Sequence, residues 1–385
     1  MDPIYLDHAA TTPLREEARE ALVETLASVP GNPSSPHRWG REAKMKLEEA
    51  RERLAAVLGA QRREVVFTAG GTVADNLAIL GRWRAAGSHG GPGAVVVSAV
   101  EHQAVLSAAR AAGREGAELI ILGVDGEGRL LLESLDEGLA ARPSIVSVMW
   151  GNNEVGTLQP VSEVAERCRE AGVVFHTDAV QALGKVEVRV DRVGCDLLAV
   201  SAHKVGGPKG VGALYVREGV ELHPLTFGGG QERGYHPGTE DVAGAVAFAV
   251  AAELAERERE SEALRLERLR DRLQAALVAG LPDLIVNGRG APRLPHILNV
   301  SVPGVDVDML VPALDLEGLA VSSGSACQSG TVEPSHVLVA MGRDPRRDGA
   351  PIRLSLGRTT TERDVEQAAE RFIRVVARVR ELAGP

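Results

Sequence analysis

The sequence predicts an α/β fold with a mostly parallel sheet, followed by a smaller α+β unit. Three observations predict it. Short β-branched runs alternate with longer helical patterns through most of the sequence. Those runs are apolar throughout, as strands covered on both faces must be. Past a long charged helix the pattern changes to a few strands and a closing amphipathic helix.

Taken in order, Glu64–Thr68 reads as a strand closed by Ala69-Gly70-Gly71-Thr72, with a helix starting near Thr72. Ala94–Ser98 is the next strand, and Glu101–Ala112 the next helix. Glu118–Ile121 and Ser144–Val148 continue the series, Ser162–Ala171 is helical, and Val173–His176 returns to strand. Asp196–Val200 is an apolar strand that runs out into a glycine-rich turn. From Asp241 to about Leu277 the pattern is helical, and its mixed charges from Glu253 to Arg272 predict a solvated connecting helix. His296–Val302 and Ile352–Leu356 are strands of the second unit. Thr361–Leu382 is its last helix, with Thr360 or Thr361 and Asp364 suited to its start. The division expected is a large domain over 15–255 and a small one made of 1–14 and 256–385.

The chain has 385 residues, 44% of them hydrophobic and 25% charged, and a net charge of −10. Such a charge opposes general nucleic-acid binding. No apolar run approaches the roughly 20 residues of a membrane span, and the N-terminus lacks the pattern of a signal peptide. Cys168, Cys195 and Cys327 are odd in number and form no Cys-x-x-Cys pair. A disulfide framework or a metal site is therefore not expected, and a cytoplasmic location is.

Lysine is scarce, and Lys204 sits where an apolar strand meets Gly206-Gly207-Pro208. A lysine held in a partly dry pocket at a strand end has a lowered pKa and becomes a nucleophile, the property a Schiff-base lysine needs. Asp178 and Gln181 follow the preceding strand, at the edge where α/β sheets collect ligands. A carboxylate there can hold the ring nitrogen of pyridoxal 5′-phosphate (PLP), and Gln181 can reach the ring oxygen. Gly71 and Thr72 open a helix and offer N–H groups and a hydroxyl to a phosphate. Ser201 and His203 flank Lys204 and can complete that cup, while His102 can stack on the ring. Each has an ordinary alternative when read singly: a surface lysine, a helix-capping aspartate, a common Gly-Gly turn, a structural histidine. Cys327 lies in Ser322-Ser323-Gly324-Ser325-Ala326-Cys327-Gln328-Ser329-Gly330. Small polar neighbours and a mobile loop favour a reactive thiol, whereas Cys168 and Cys195 read as structural.

The series as a whole resembles the cysteine desulfurases, in the class V aminotransferase group of fold-type I PLP enzymes. The pieces run from Tyr5-Leu6-Asp7-His8-Ala9-Ala10-Thr11-Thr12-Pro13 and Asn32-Pro33-Ser34-Ser35 through Glu101-His102 and Asn152-Asn153-Glu154-Val155-Gly156. They continue through Ser201–Lys204, Gly238-Thr239 and the cysteine loop to Arg353-Leu354-Ser355-Leu356-Gly357-Arg358. The longer cysteine loop resembles the iron–sulfur-cluster type. The resemblance implies that L-cysteine becomes L-alanine, with Cys327 taking the sulfur as persulfide. Lys204 and His102 would move protons, while Asn153 and Arg353 would hold the substrate carboxylate. Thr239 would reach the PLP phosphate of the other subunit of a homodimer. The partners implied are an iron–sulfur scaffold or a tRNA-thiolation sulfurtransferase, with no direct nucleic-acid or membrane contact. No metal is required, although Cys327 could contact a transferred iron–sulfur cluster. Val73 and His236 depart from the family pattern. A selenocysteine lyase, a small-substrate aminotransferase and a silent scaffold are the rival readings; a transaminase has no use for Cys327.

Overall fold

In the computed structural model, residues 2–87, 93–323 and 334–383 are described. Among them, seven strands form the main sheet: β2 (Val65–Thr68), β3 (Val95–Ser98), β4 (Leu119–Leu122), β5 (Ile145–Ser147), β6 (Val174–Asp178), β7 (Leu197–Ser201) and β8 (Gly212–Val216). Their spatial order is β2-β8-β7-β6-β5-β3-β4. Every pairing is parallel except those of β8 with β2 and β7. Strands β2, β3, β5, β7 and β8 are buried along their whole length, which explains their unbroken apolar runs.

Strand β8 is missed by the sequence reading, because the glycine-rich turn before it reads as a loop. The turn reverses the chain and lays Gly212 beside both Thr68 and Ser201. A Cβ on Gly212 would stand 2.6 Å from the Gly70 carbonyl carbon and 2.8 Å from the Val200 carbonyl oxygen. Both neighbours are backbone and cannot swing aside. Gly212→Ala is expected to lower stability by about 1–3 kcal/mol through this overpacking, read as an earlier urea midpoint. An unchanged midpoint would show that the Gly70 turn moves freely.

The 39-residue helix Val242–Gly280 joins two cores. Its first half, through Ala255, packs against the main sheet with Phe248, Val200 and Phe175. Its second half buries Leu266, Leu269, Leu273 and Leu277 against a smaller sheet. That sheet has the order β12-β10-β9, from β9 (Ile285–Asn287), β10 (Ile297–Val302) and β12 (Ala350–Ser355). The charged run is thus only partly solvated: Arg270 is buried and donates to the Leu294 carbonyl at 3.0 Å. The N-terminal strand β1 (Ile4–Tyr5) pairs in parallel with β11 (Leu319–Ala320), so both chain ends meet in the smaller core. Helix Glu362–Ala383 covers it with Phe372, Val375 and Val376.

Candidate active site

The parallel strands end along one edge, and the candidate residues gather there. Asp178 is the last residue of β6 and is paired in register with Ala199 of β7. Ser201 closes β7, and Ala202–Lys204 form one turn of 3-10 helix directly after it. Lys204 is half-buried, and its Nζ donates to the carbonyls of Ala9 and, at 2.7 Å, Ala10. Gln181 Nε2 donates to the same Ala9 carbonyl at 2.8 Å. The N-terminal segment therefore reaches the sheet edge, which its place in the sequence does not announce.

Burial lowers the pKa of Lys204 to about 8, with the Arg353 charge adding to the effect and Asp178 and Asp7 opposing it. At pH 7 about one such amine in ten is neutral, against fewer than about one in a thousand for an ordinary lysine. Burial raises the Asp178 carboxyl, while His102, the Val180 N–H and Lys204 pull it back toward ionisation. Asp178 Oδ1 accepts the Val180 N–H at 2.8 Å, the local turn anticipated as its ordinary alternative. His102 caps helix Gln103–Arg114 by accepting the Ala104 N–H at Nδ1. Its ring still lies within 4.8 Å of Asp178 and Asp75, measured between ligand-type atoms.

Sequence reasoning missed the acids behind this edge. Asp75 and Glu101 are fully buried, and both are raised well above the carboxylate range, first by burial and then by charge repulsion that includes Asp178. His176 stands 3.6 Å from Asp75, and its Nδ1 shares a 2.8 Å hydrogen bond with Ser147. Burial holds its pKa down to about 3, so it is neutral. Three buried carboxyls so close together cannot all ionise. Asp75 falls in the run Thr72-Val73-Ala74-Asp75-Asn76, which departs from the family pattern; that departure was its one signal.

Gly71 opens the helix Gly71–Asn76, and no side chain caps its start. A side chain at Gly70 would meet open space, whereas one at Gly71 would press on Val180 and Ser201. The uncapped N–H groups, the open space and Ser201 together fit a phosphate. Thr72 is exposed at this turn. His203 is half-buried, shares a 3.1 Å hydrogen bond with Thr11, and has its pKa lowered to about 4, mainly by burial. The residues present thus fit PLP: an amine with a lowered pKa, a buried carboxyl and an anion cup on one edge.

Arg353, on β12, is buried and crosses to this edge. It donates to Asp7 Oδ1 at 2.8 Å and to the Asn153 carbonyl at 2.8 Å. Among the described residues its Nε has no partner. Thr239 is exposed in the loop before the long helix, and its side chain makes no hydrogen bond among the described residues. Cys327 lies outside the described residues. Cys168 and Cys195 are buried free thiols. Burial pushes Cys168 up to about 12 and Cys195 higher still.

A family model described as aminotransferase class-V matches residues 4–368. The chain is similar to a protein named cysteine desulfurase IscS from Dictyoglomus turgidum, 42% identical over 380 residues, covering 99% of this chain and 96% of that one. It is similar to an IscS-like cysteine desulfurase from Mycobacterium tuberculosis, 43% identical, with 98% of each chain covered. Among solved structures, a NifS-like protein superposes with a TM-score of 0.90 at 33% identity, over 97% of this chain and 99% of that one. SspA in complex with cysteine gives a TM-score of 0.78 at 32% identity, over 92% of this chain and 98% of that one.

Proposed function

The chain belongs to the aminotransferase class-V family, and on that premise we propose that it is a cysteine desulfurase. It takes the sulfur of L-cysteine, leaves L-alanine, and passes the sulfur through Cys327 to an acceptor protein. The observation that carries the reading is the meeting, at one sheet edge, of a nucleophilic Lys204, a buried Asp178 and an Arg353 whose Nε has no partner among the described residues.

The cofactor is PLP, which when bound supplies an electron sink at the carbon being deprotonated. Lys204 would hold it covalently and then move the Cα proton. Asp178 would hold the ring nitrogen and Gln181 the ring oxygen. Gly71, Thr72, Ser201 and His203 would take the phosphate, joined by Thr239 of the second subunit of a homodimer. Arg353 and Asn153 would orient the substrate carboxylate, and His102 would cover the ring and take the thiol proton. The Cβ–S bond of cysteine breaks with its electron pair left on carbon. The sulfur joins Cys327 Sγ, so one thiol and one cysteine give one persulfide and one alanine. The large domain over 15–255 carries the cofactor residues, and the small domain brings Arg353 and Cys327.

An iron–sulfur scaffold or a tRNA-thiolation sulfurtransferase is the acceptor of this reading. The free thiols of Cys168 and Cys195 suit the cytoplasm, and no described helix is long and apolar enough to cross a membrane. Cofactor-loaded protein given L-cysteine and a reducing thiol is expected to release alanine and sulfide in equal amounts. Sulfide with pyruvate and ammonia in place of alanine, or no turnover, would overturn the assignment.

A further inference from the structure

The helix His336–Ala340, which follows the Cys327 segment, is docked on the two loops that carry Asn153 and His102. Its cap, Ser335, is buried and donates its hydroxyl proton to Glu154 Oε2 at 2.5 Å. The Ser335 hydroxyl oxygen in turn accepts the Leu338 N–H at 3.3 Å. His336 is held through both ring nitrogens. The Glu101 carbonyl is an acceptor only, so Nε2 carries the proton in their 2.9 Å contact. Nδ1 then accepts from Gln103 Nε2 at 3.1 Å. Beneath these bonds Val337, Leu338 and Met341 pack against Val100, Met149 and Val155.

The other end of the segment is tied to the site as well. Ser322 and Arg353 exchange backbone hydrogen bonds of 3.2 and 2.7 Å. Cys327 is four residues from Ser323 and eight from Ser335, which bounds its reach to about 14 and 29 Å from those points. Apolar packing is non-directional and does not by itself set the register of so short a helix. A buried carboxyl is a costly way to hold it, as the Glu154 pKa shows: burial raises it to about 7, against the pull of Ser335 and Arg353. What the polar pair adds is direction, since it is made in one register only.

We propose that Glu154, Ser335 and His336 are positioning residues for sulfur transfer. They fix the downstream end of the Cys327 segment against the loops of Asn153 and His102. The inference rests on the desulfurase reading above and adds the residues that aim its sulfur carrier.

The test uses the cofactor-loaded full chain as wild type, Glu154→Ala, Ser335→Ala and Glu154→Gln. Two readouts are taken after mixing with L-cysteine: the change in cofactor absorbance, which reports substrate binding, and the mass gain of one sulfur on Cys327 in quenched samples. Both alanine variants are expected to keep the absorbance response at wild-type cysteine concentrations. Sulfur loading should slow about tenfold or more, the scale of a lost buried hydrogen bond to an acid. Glu154→Gln keeps an acceptor for Ser335 and should load within about threefold of wild type. Should the alanine variants fail to fold, His336→Asn, which leaves the buried pair intact, carries the same expectation. Wild-type loading rates in the variants would overturn the inference and leave the desulfurase reading standing. Equal losses in both readouts would also overturn it, as the mark of a general structural role. Absence of loading in wild type would instead sink the desulfurase reading.

Discussion

Lys204→Ala is expected to give a folded protein without the visible cofactor band of the wild type. In the wild type, borohydride should fix the cofactor mass on the peptide holding Lys204. The variant keeps the phosphate cup at Gly71 and Ser201, so it should still bind PLP, though weakly and reversibly. Alanine release should fall by about 10²–10⁴-fold or more, the share of a positioned acid–base group. The pH dependence follows from the lysine's lowered pKa. The neutral amine is the nucleophile, and with a pKa near 8 its share rises through pH 7–8 and levels above about 9. Reloading of cofactor-free wild type should follow that curve rather than one centred near 10.5. A wild type that stays colourless in excess PLP would remove the lysine's role. Reloading that still climbs steeply at pH 10 would show instead that Lys204 is solvated.

The sequence makes the parallel strands and their helices legible because β3, β5 and β7 are buried along their whole length and the helices repeat at their own period. Strand β8 escapes that reading, since a glycine-rich turn hides the reversal that pairs it with β7. Asp178 and Lys204 are legible because each sits at the end of an apolar run. The residues they depend on are not. Ala9 and Ala10, whose carbonyls receive Lys204, are about 195 positions away in the chain and carry no chemical signature. Asp7 is similarly remote from Arg353, and only the parallel pairing of β1 with β11 and the contact with Ser355 bring it there. Asp75, Glu101 and His176 look like ordinary polar residues until burial removes their water. Their proximity is a property of the sheet register: β5 and β6 place Ser147 directly beside His176.

Cys327→Ser is expected to separate binding from sulfur transfer. A serine keeps the size of the side chain but replaces a thiol of ordinary pKa near 8.5 with a hydroxyl that cannot accept sulfur. The variant should load PLP and show the wild-type absorbance response to L-cysteine, because Arg353, Asn153 and Lys204 are untouched. Alanine release should fall to a small fraction of the wild-type rate, and the protein mass should gain no sulfur. Neither remaining cysteine can substitute. At pH 8 an ordinary thiol is about one quarter thiolate, whereas Cys168, raised by burial to about 12, is ionised in about one molecule in ten thousand. Cys195 is raised further, and both are almost wholly inaccessible. In the wild type the added sulfur should therefore map to the Cys327 peptide alone and leave on reduction. Full alanine release by the serine variant, or a persulfide on Cys168 or Cys195, would take the sulfur chemistry away from Cys327. The cofactor site at Lys204 and Asp178 would stand unchanged, because the partners described for those two residues are the Ala9 and Ala10 carbonyls and the Val180 N–H.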